Sequence, residues 1–182
     1  MTKHRKISKF LSYVLRHNPG KIGIQLDEAG WVPVNELVDQ SRKHGMRFTK
    51  EDIKEVIRQS DKTRFIFSND DRYIRATYGH SVPAELGYEP TEPPQWLYHG
   101  TAERNIESIR QSGIQPQNRQ FVHLSVDKQT ATQVGQRHGK PVVLTISAKT
   151  MYNDGHTFYR SDAGIWLTKQ VPPSYISRQT ER

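Results

Sequence analysis

The chain has 182 residues, 27 Lys+Arg against 19 Asp+Glu, a formal net charge of +8, and 34% hydrophobic against 25% charged residues; this suits one ordinary domain or two small ones with a modest core. No apolar run approaches the roughly 18–20 residues of a membrane span, and the basic start Met1–Ile7 leads into no long apolar segment, so it does not read as a signal peptide. Cysteine is absent, which excludes a disulfide scaffold, Cys-ligated metal centres and thiol catalysis, and makes the cytoplasm the expected location.

Residues 1–26 carry Lys3, Arg5, Lys6, Lys9, Arg16 and Lys21 and no acidic side chain. A polyanion such as nucleic acid is the natural partner for such a surface. Ile7, Phe10, Leu11, Val14 and Leu15 recur at i, i+3, i+4, i+7 and i+8, which predicts an amphipathic helix stopped by Asn18-Pro19-Gly20. Arg5, Lys9, Ser12 and Arg16 form its opposite, mostly basic row. A second helix is predicted from Pro33 to Gly45, with proline at its first position. A third starts at Thr49, with Asp52 placed as in a capping box and Ile53, Val56 and Ile57 as the buried stripe. Phe65–Phe67 and Tyr73–Arg75 read as two strands joined by the turn residues Asn69-Asp70-Asp71.

Pro83, Pro90, Pro93 and Pro94 crowd the stretch that follows, and they mark a boundary between lobes 1–92 and 93–182. In the second lobe, Trp96–His99 reads as a strand, followed by a helix through Ile106 and Ile109 that stops at Gly113. Phe121–Leu124 is a further strand, Asp127–Gln136 a helix, and Val142–Ile146 the clearest strand of the chain. Thr157–Tyr159 and Ile165–Leu167 complete the set. Short strands with two helices indicate an α+β lobe, and three helices plus a hairpin suggest a winged-helix first lobe.

Most familiar catalytic patterns are missing. No two of the eight histidines share the i, i+3 or i, i+4 spacing of a helical zinc site, and no metal is expected. There is no phosphate-binding glycine loop and no G-x-S-x-G elbow. The acidic residues of the second lobe, Glu103, Glu107, Asp127, Asp154, Asp162 and Glu181, form no catalytic carboxylate pair. What remains are arginines and histidines where regular structure stops: Arg16-His17, Arg64, Arg119 and His99-Gly100-Thr101. Guanidinium groups hold two phosphate oxygens at once and stay protonated, so several together would grip a phosphate and stabilise charge in transfer at phosphorus. On spacing alone the preferred reading of Arg16 and Arg64 is that they are solvated or serve helix carbonyls, and a strand-end turn explains Gly100 equally well.

The ordered set of segments narrows this. Ser8-Lys9-Phe10-Leu11-Ser12 ahead of Leu15-Arg16-His17, Asp61–Phe65, Ile74-Arg75-Ala76 and Gly79-His80-Ser81 resemble the RNA 2′-phosphotransferase family. So do Leu97–Thr101, Arg119 before Val122–Ser125, Gly135-Gln136-Arg137 and Gly164–Thr168. The resemblance implies an N-terminal winged-helix, RNA-binding lobe and a C-terminal NAD-binding lobe of the ADP-ribosyltransferase type. It also implies removal of an internal RNA 2′-phosphate. The RNA phosphate attacks the nicotinamide ribose of NAD, and a second, intramolecular step releases RNA 2′-OH and ADP-ribose 1″,2″-cyclic phosphate. The implied catalytic set is Arg16, His17, Arg64 and Arg119. Of these the three arginines grip the phosphate, and His17 donates to it or to a neighbouring RNA oxygen. His99, Gly100 and Thr101 are implied to bind the adenosine side of NAD, Ser108, Ile109 and Gly113 to line the adenine pocket, and His123 and Ser125 to lie near the nicotinamide ribose. Protein-modifying relatives carry a glutamate where this chain has Ile165, which argues against protein ADP-ribosylation. The partners implied are a tRNA-like RNA with an internal 2′-phosphate and NAD, with a monomer as the default. The competing readings are a nucleic-acid-binding module with a ligand-sensing second domain, and an ADP-ribosyltransferase acting on proteins or nucleic-acid ends.

Overall fold

Residues 2–178 are described by the computed structural model; Met1 and residues 179–182, Glu181 among them, lie outside the described residues. Thr2 opens helix α1 (Lys3–Arg16) by accepting the Arg5 N–H on its hydroxyl, which satisfies one of the donors that a helix start leaves unpaired. Ile7, Leu11, Val14 and Leu15 are its buried stripe, and Phe10 packs at the edge. The helix stops at Arg16, just before Asn18-Pro19, as expected. Strand β1 (Val32–Pro33) follows, and helix α2 (Val34–Lys43) begins one position later than the proline rule suggests. The reason is pairing: Pro33 lies opposite Tyr73 in a sheet, and the Val34 N–H donates to the Arg72 carbonyl.

Helix α3 (Lys50–Arg58) carries the expected capping box, with the Thr49 hydroxyl and Asp52 carboxylate each accepting the other's backbone N–H. Strands β2 (Phe65–Phe67) and β3 (Tyr73–Ala76) pair antiparallel, Phe65 opposite Ala76, and β3 sits between β1 and β2. Asp71 takes a positive φ of 57° in the turn between β2 and β3, which aspartate tolerates better than most residues. The three helices and this sheet enclose one core, with Leu11, Leu15, Leu37, Ile53, Phe65 and Ile74 fully buried.

The chain divides into compact units between Gly87 and Tyr88, inside the proline-rich stretch. Residues 88–92 belong with the second unit: the Tyr88 ring meets Phe121 and Tyr159, Pro90 bridges to Tyr159, and the Thr91 N–H donates to the Phe158 carbonyl.

The second unit holds β4 (Leu97–Ala102), α4 (Ile106–Ser112), β5 (Val122–Leu124), α5 (Lys128–Gln136), β6 (Pro141–Ile146), α6 (Ala148–Asn153), β7 (Phe158–Arg160), β8 (Trp166–Thr168) and β9 (Ile176–Arg178). They form two three-stranded antiparallel sheets, ordered β4-β6-β9 and β5-β8-β7. Among the described residues this unit therefore has three α-helices where two were expected, and α6 is the addition. The mixed α and β content agrees with the sequence reading. No helix among the described residues is long and apolar enough to cross a membrane.

Candidate active site

In the first unit, Arg16, His17 and Arg64 each stand where a regular element ends. The Arg16 carbonyl at the end of α1 has no helical donor, and the Ser81 and Val82 N–H groups supply it at 2.9 and 3.2 Å. The Arg16 guanidinium turns inward: it lies 4.6 Å from the centre of the Tyr78 ring and 5.8 Å from that of Phe65. Arg16 is thus half-buried and set apart from the exposed Arg5 and Lys9, which corrects the single basic row read from the sequence. His17 follows, with Nδ1 2.9 Å from the Ser81 hydroxyl oxygen.

Arg64 precedes β2. Its guanidinium donates to the Ser60 hydroxyl and meets the Asp61 carboxylate at 3.3 Å, so its fork is oriented by the loop that carries it. The Arg64 carbonyl accepts the Thr77 N–H at 3.0 Å. One short segment, 77–82, therefore touches Arg64 through Thr77, Arg16 through Tyr78, Ser81 and Val82, and His17 through Ser81. Inside that segment His80 is only 2% exposed, and neither of its ring nitrogens has a hydrogen-bond partner. Burial first, then Arg16, His17 and Arg75, push its pKa down to about 4, so it is neutral at pH 7.

The second unit brings Arg119, His123, His99 and Ser125 together. Tyr98 and Ser125 exchange backbone hydrogen bonds at 2.8 Å, which joins β4 to the end of β5. Across this join the His99 Nδ1 donates to the His123 carbonyl at 3.1 Å, leaving Nε2 as the acceptor of the neutral ring. Burial lowers the His99 pKa, the His123 carbonyl opposes the shift, and His138 and Arg119 reinforce it. The Arg119 guanidinium donates to His123 Nδ1 at 2.9 Å, so that nitrogen is unprotonated and Nε2 carries the proton.

Gly100 does not end a strand, as its sequence context suggested; it lies in the middle of β4. A Cβ there would stand 1.6 Å from the Ala131 carbonyl oxygen, so its first duty is to let α5 lie against β4. Thr101 is buried and accepts from the Asn105 amide. Ser108 is exposed on α4, and Ile109 packs partly against the core. Gly113 caps α4 at a φ of +74°, where a Cβ would meet the Val171 carbonyl at 2.1 Å. Ile109 and Gly113 thus have structural duties, whereas Ser108 stands exposed on α4. The sequence reading gives Tyr78 and Ser60 no place, and Asp61 and Ser81 appear in it only within motifs. Among the described residues no group of three or more His, Asp or Glu is placed to hold a metal ion.

The family model described as "RNA 2'-phosphotransferase, Tpt1 / KptA family" matches residues 2–170. A probable RNA 2′-phosphotransferase of Pectobacterium carotovorum subsp. carotovorum is 51% identical over 176 residues, covering 96% of this chain and 95% of that protein. A second from Flavobacterium johnsoniae is 49% identical over 172 residues, 94% of each chain. A third from Agrobacterium fabrum is 51% identical over 170 residues, 93% of this chain and 91% of that protein. The class these matches define is that of transferases. The chain belongs to the RNA 2′-phosphotransferase family, in agreement with the resemblance carried by its motifs.

Proposed function

We propose that this protein is an NAD-dependent RNA 2′-phosphotransferase, a cytoplasmic monomer that strips an internal 2′-phosphate from a tRNA-like RNA. The products are RNA 2′-OH, nicotinamide and ADP-ribose 1″,2″-cyclic phosphate. The observation that carries the reading is family membership over nearly the whole chain. The first unit is read as the winged-helix, RNA-binding lobe and the second as the NAD-binding lobe of the ADP-ribosyltransferase type.

The donor set of the second unit suits a dinucleotide. His99 offers Nε2 with its tautomer fixed by a backbone carbonyl, and Ser125 offers a hydroxyl. Gly100 and Thr101 are assigned to the same cofactor, and Ser108, Ile109 and Gly113 to the adenine. NAD supplies the electrophilic ribose carbon and a leaving group that already bears positive charge. Arg16, Arg64 and Arg119 are assigned the transferring phosphate, whose charge they neutralise as it develops. His17 donates a proton to the phosphate or a neighbouring RNA oxygen in the second step, which gains from being intramolecular. The nucleophile is the RNA's own phosphate, so the chemistry requires neither Cys nor Ser.

The test is turnover of a 2′-phosphorylated oligoribonucleotide with NAD, followed by mass spectrometry. Arg64→Ala should lose on the order of 10²–10³ in rate while retaining its fold; near wild-type turnover overturns its role. A persistent ADP-ribose adduct would favour an ADP-ribosyltransferase, and RNA binding without NAD consumption a binding module.

A further inference from the structure

Helix α1 has a face that the core does not use. Its buried stripe is Ile7, Leu11, Val14 and Leu15. Lys6, Lys9, Tyr13 and His17 follow one another at spacings of three and four residues, so they share a different side of the helix, and all four are exposed. Lys3 gives its ammonium group to Asp52 at 2.8 Å. Among the described residues, Lys6 and Lys9 have no carboxylate within ion-pair distance. Residues 1–26 contain no acidic side chain, so nothing on α1 offsets these two charges.

Tyr13 is the aromatic member of the row and is 44% exposed. The Asn18 amide donates to its phenol oxygen at 3.0 Å, and the Asn18 N–H donates to its carbonyl at 3.0 Å. The ring is thus held by its polar edge, which lowers the entropy lost when something settles on its face. A protein partner would need a contiguous apolar patch, but the neighbours of Tyr13 along this face are lysines and a histidine. Cations in line with an open aromatic face suit single-stranded nucleic acid, whose phosphates take the charge and whose bases stack.

We infer that Lys6, Lys9 and Tyr13 form the track for the single-stranded RNA beside the 2′-phosphate, with one base stacked on Tyr13 and backbone phosphates on the two lysines. The inference rests on the RNA reading of the first unit and names the surface. Tyr13 stands one turn before His17, about 6 Å along the helix axis. The base it takes therefore belongs to a nucleotide next to the one that carries the 2′-phosphate. Any base serves, because every base has a π-face, whereas an abasic nucleotide has none.

The test is fluorescence anisotropy of the full-length chain with a labelled, single-stranded 2′-phosphorylated oligoribonucleotide, without NAD. Tyr13→Ala should bind about tenfold more weakly, and Tyr13→Phe should stay close to wild type. An oligonucleotide abasic at both positions flanking the 2′-phosphate should lose a similar factor with wild type and little more with Tyr13→Ala. Lys6→Gln and Lys9→Gln should each flatten the slope of log affinity against log salt by about 0.7. Wild-type affinity in Tyr13→Ala, full additivity of the abasic and Tyr13 losses, equally tight binding of the same sequence in a duplex, or unchanged salt slopes overturn the inference. Turnover with NAD is scored separately. A wild type that binds as described but turns nothing over removes the proposed reaction and leaves the track standing. Normal turnover with no effect of Tyr13→Ala on binding or on KM for RNA does the reverse.

Discussion

His80 in the first unit and His99 in the second face the same physical difficulty and meet it differently. Both are pushed toward the neutral form chiefly by burial. His99 donates Nδ1–H to the His123 carbonyl, so its tautomer is fixed and its other nitrogen is turned to account as an acceptor. His80 has no partner on either nitrogen and lies among Arg16, His17 and Arg75. The first arrangement specifies a hydrogen-bonding surface. The second supplies a neutral body beside cations, where a protonated ring would be repelled. The two units also differ in how they hold their arginines. Arg16 is stacked on aromatic rings and backed by segment 77–82, whereas Arg119 is exposed on a loop and meets a histidine in its own unit.

The sharpest way to break the picture of the second unit is to disturb the packing under its cluster. Gly100→Ala puts a methyl group 1.6 Å from the Ala131 carbonyl oxygen, and the backbone of α5 or β4 has to move. A destabilisation of about 4 kcal/mol or more is expected, beyond ordinary overpacking because the clash is with main chain. Urea denaturation measures it. A variant with an unchanged midpoint would show that Gly100 is not required for this packing.

The pH prediction concerns His80. Above pH 6.5 the folded and unfolded chains both hold it neutral, and full stability is present. Between about pH 6.5 and about 4 the unfolded chain takes up a proton that the folded chain refuses, so stability is lost as pH falls. Below about pH 4 both states are protonated and this loss stops growing. The shift corresponds to roughly 3 kcal/mol at most. Denaturation of wild type and His80→Phe at pH 7.5 and 4.5 isolates it from the carboxylates and from His99. The variant should lose less stability over that interval, and equal losses would remove His80 as the source.

These effects show where the sequence was readable. The Thr49–Asp52 capping box, the buried stripe of α1 and the hairpin of β2 and β3 are local patterns, and local patterns survive folding. Helix α6 was missed because Ala148–Asn153 is too short to show a periodic stripe, and β1 because a two-residue strand exists only through its partner β3. The site divides in the same way. The ordered motifs gave the candidate residues, but the inward turn of Arg16 depends on Tyr78, far away in sequence, so no spacing rule announces it. Gly100 was read as a turn because its neighbours allowed one. The signal that would have corrected this is the matching run of small residues, Ala131 and Gly135, on the helix that packs on it.

The smallest effect tests the stacking of Arg16. Tyr78 is 8% exposed, and its ring face is the nearer of the two against the guanidinium. Tyr78→Phe keeps that face, whereas Tyr78→Leu keeps apolar bulk but removes the quadrupole that attracts the cation. The stability difference between the two variants should be about 1 kcal/mol, since the guanidinium is partly desolvated. The rate should separate them further than the stability does. A guanidinium free to leave its stacked rotamer loses the orientation assigned to it, so Tyr78→Leu should turn over about fivefold to tenfold more slowly than Tyr78→Phe. Arg64 is oriented by Ser60 and Asp61 instead, so adding Arg64→Lys should lower the rate by the same factor in both Tyr78 backgrounds. A strong departure from that additivity would mean that the two arginines are held as one unit, and would replace the separate supports described for them.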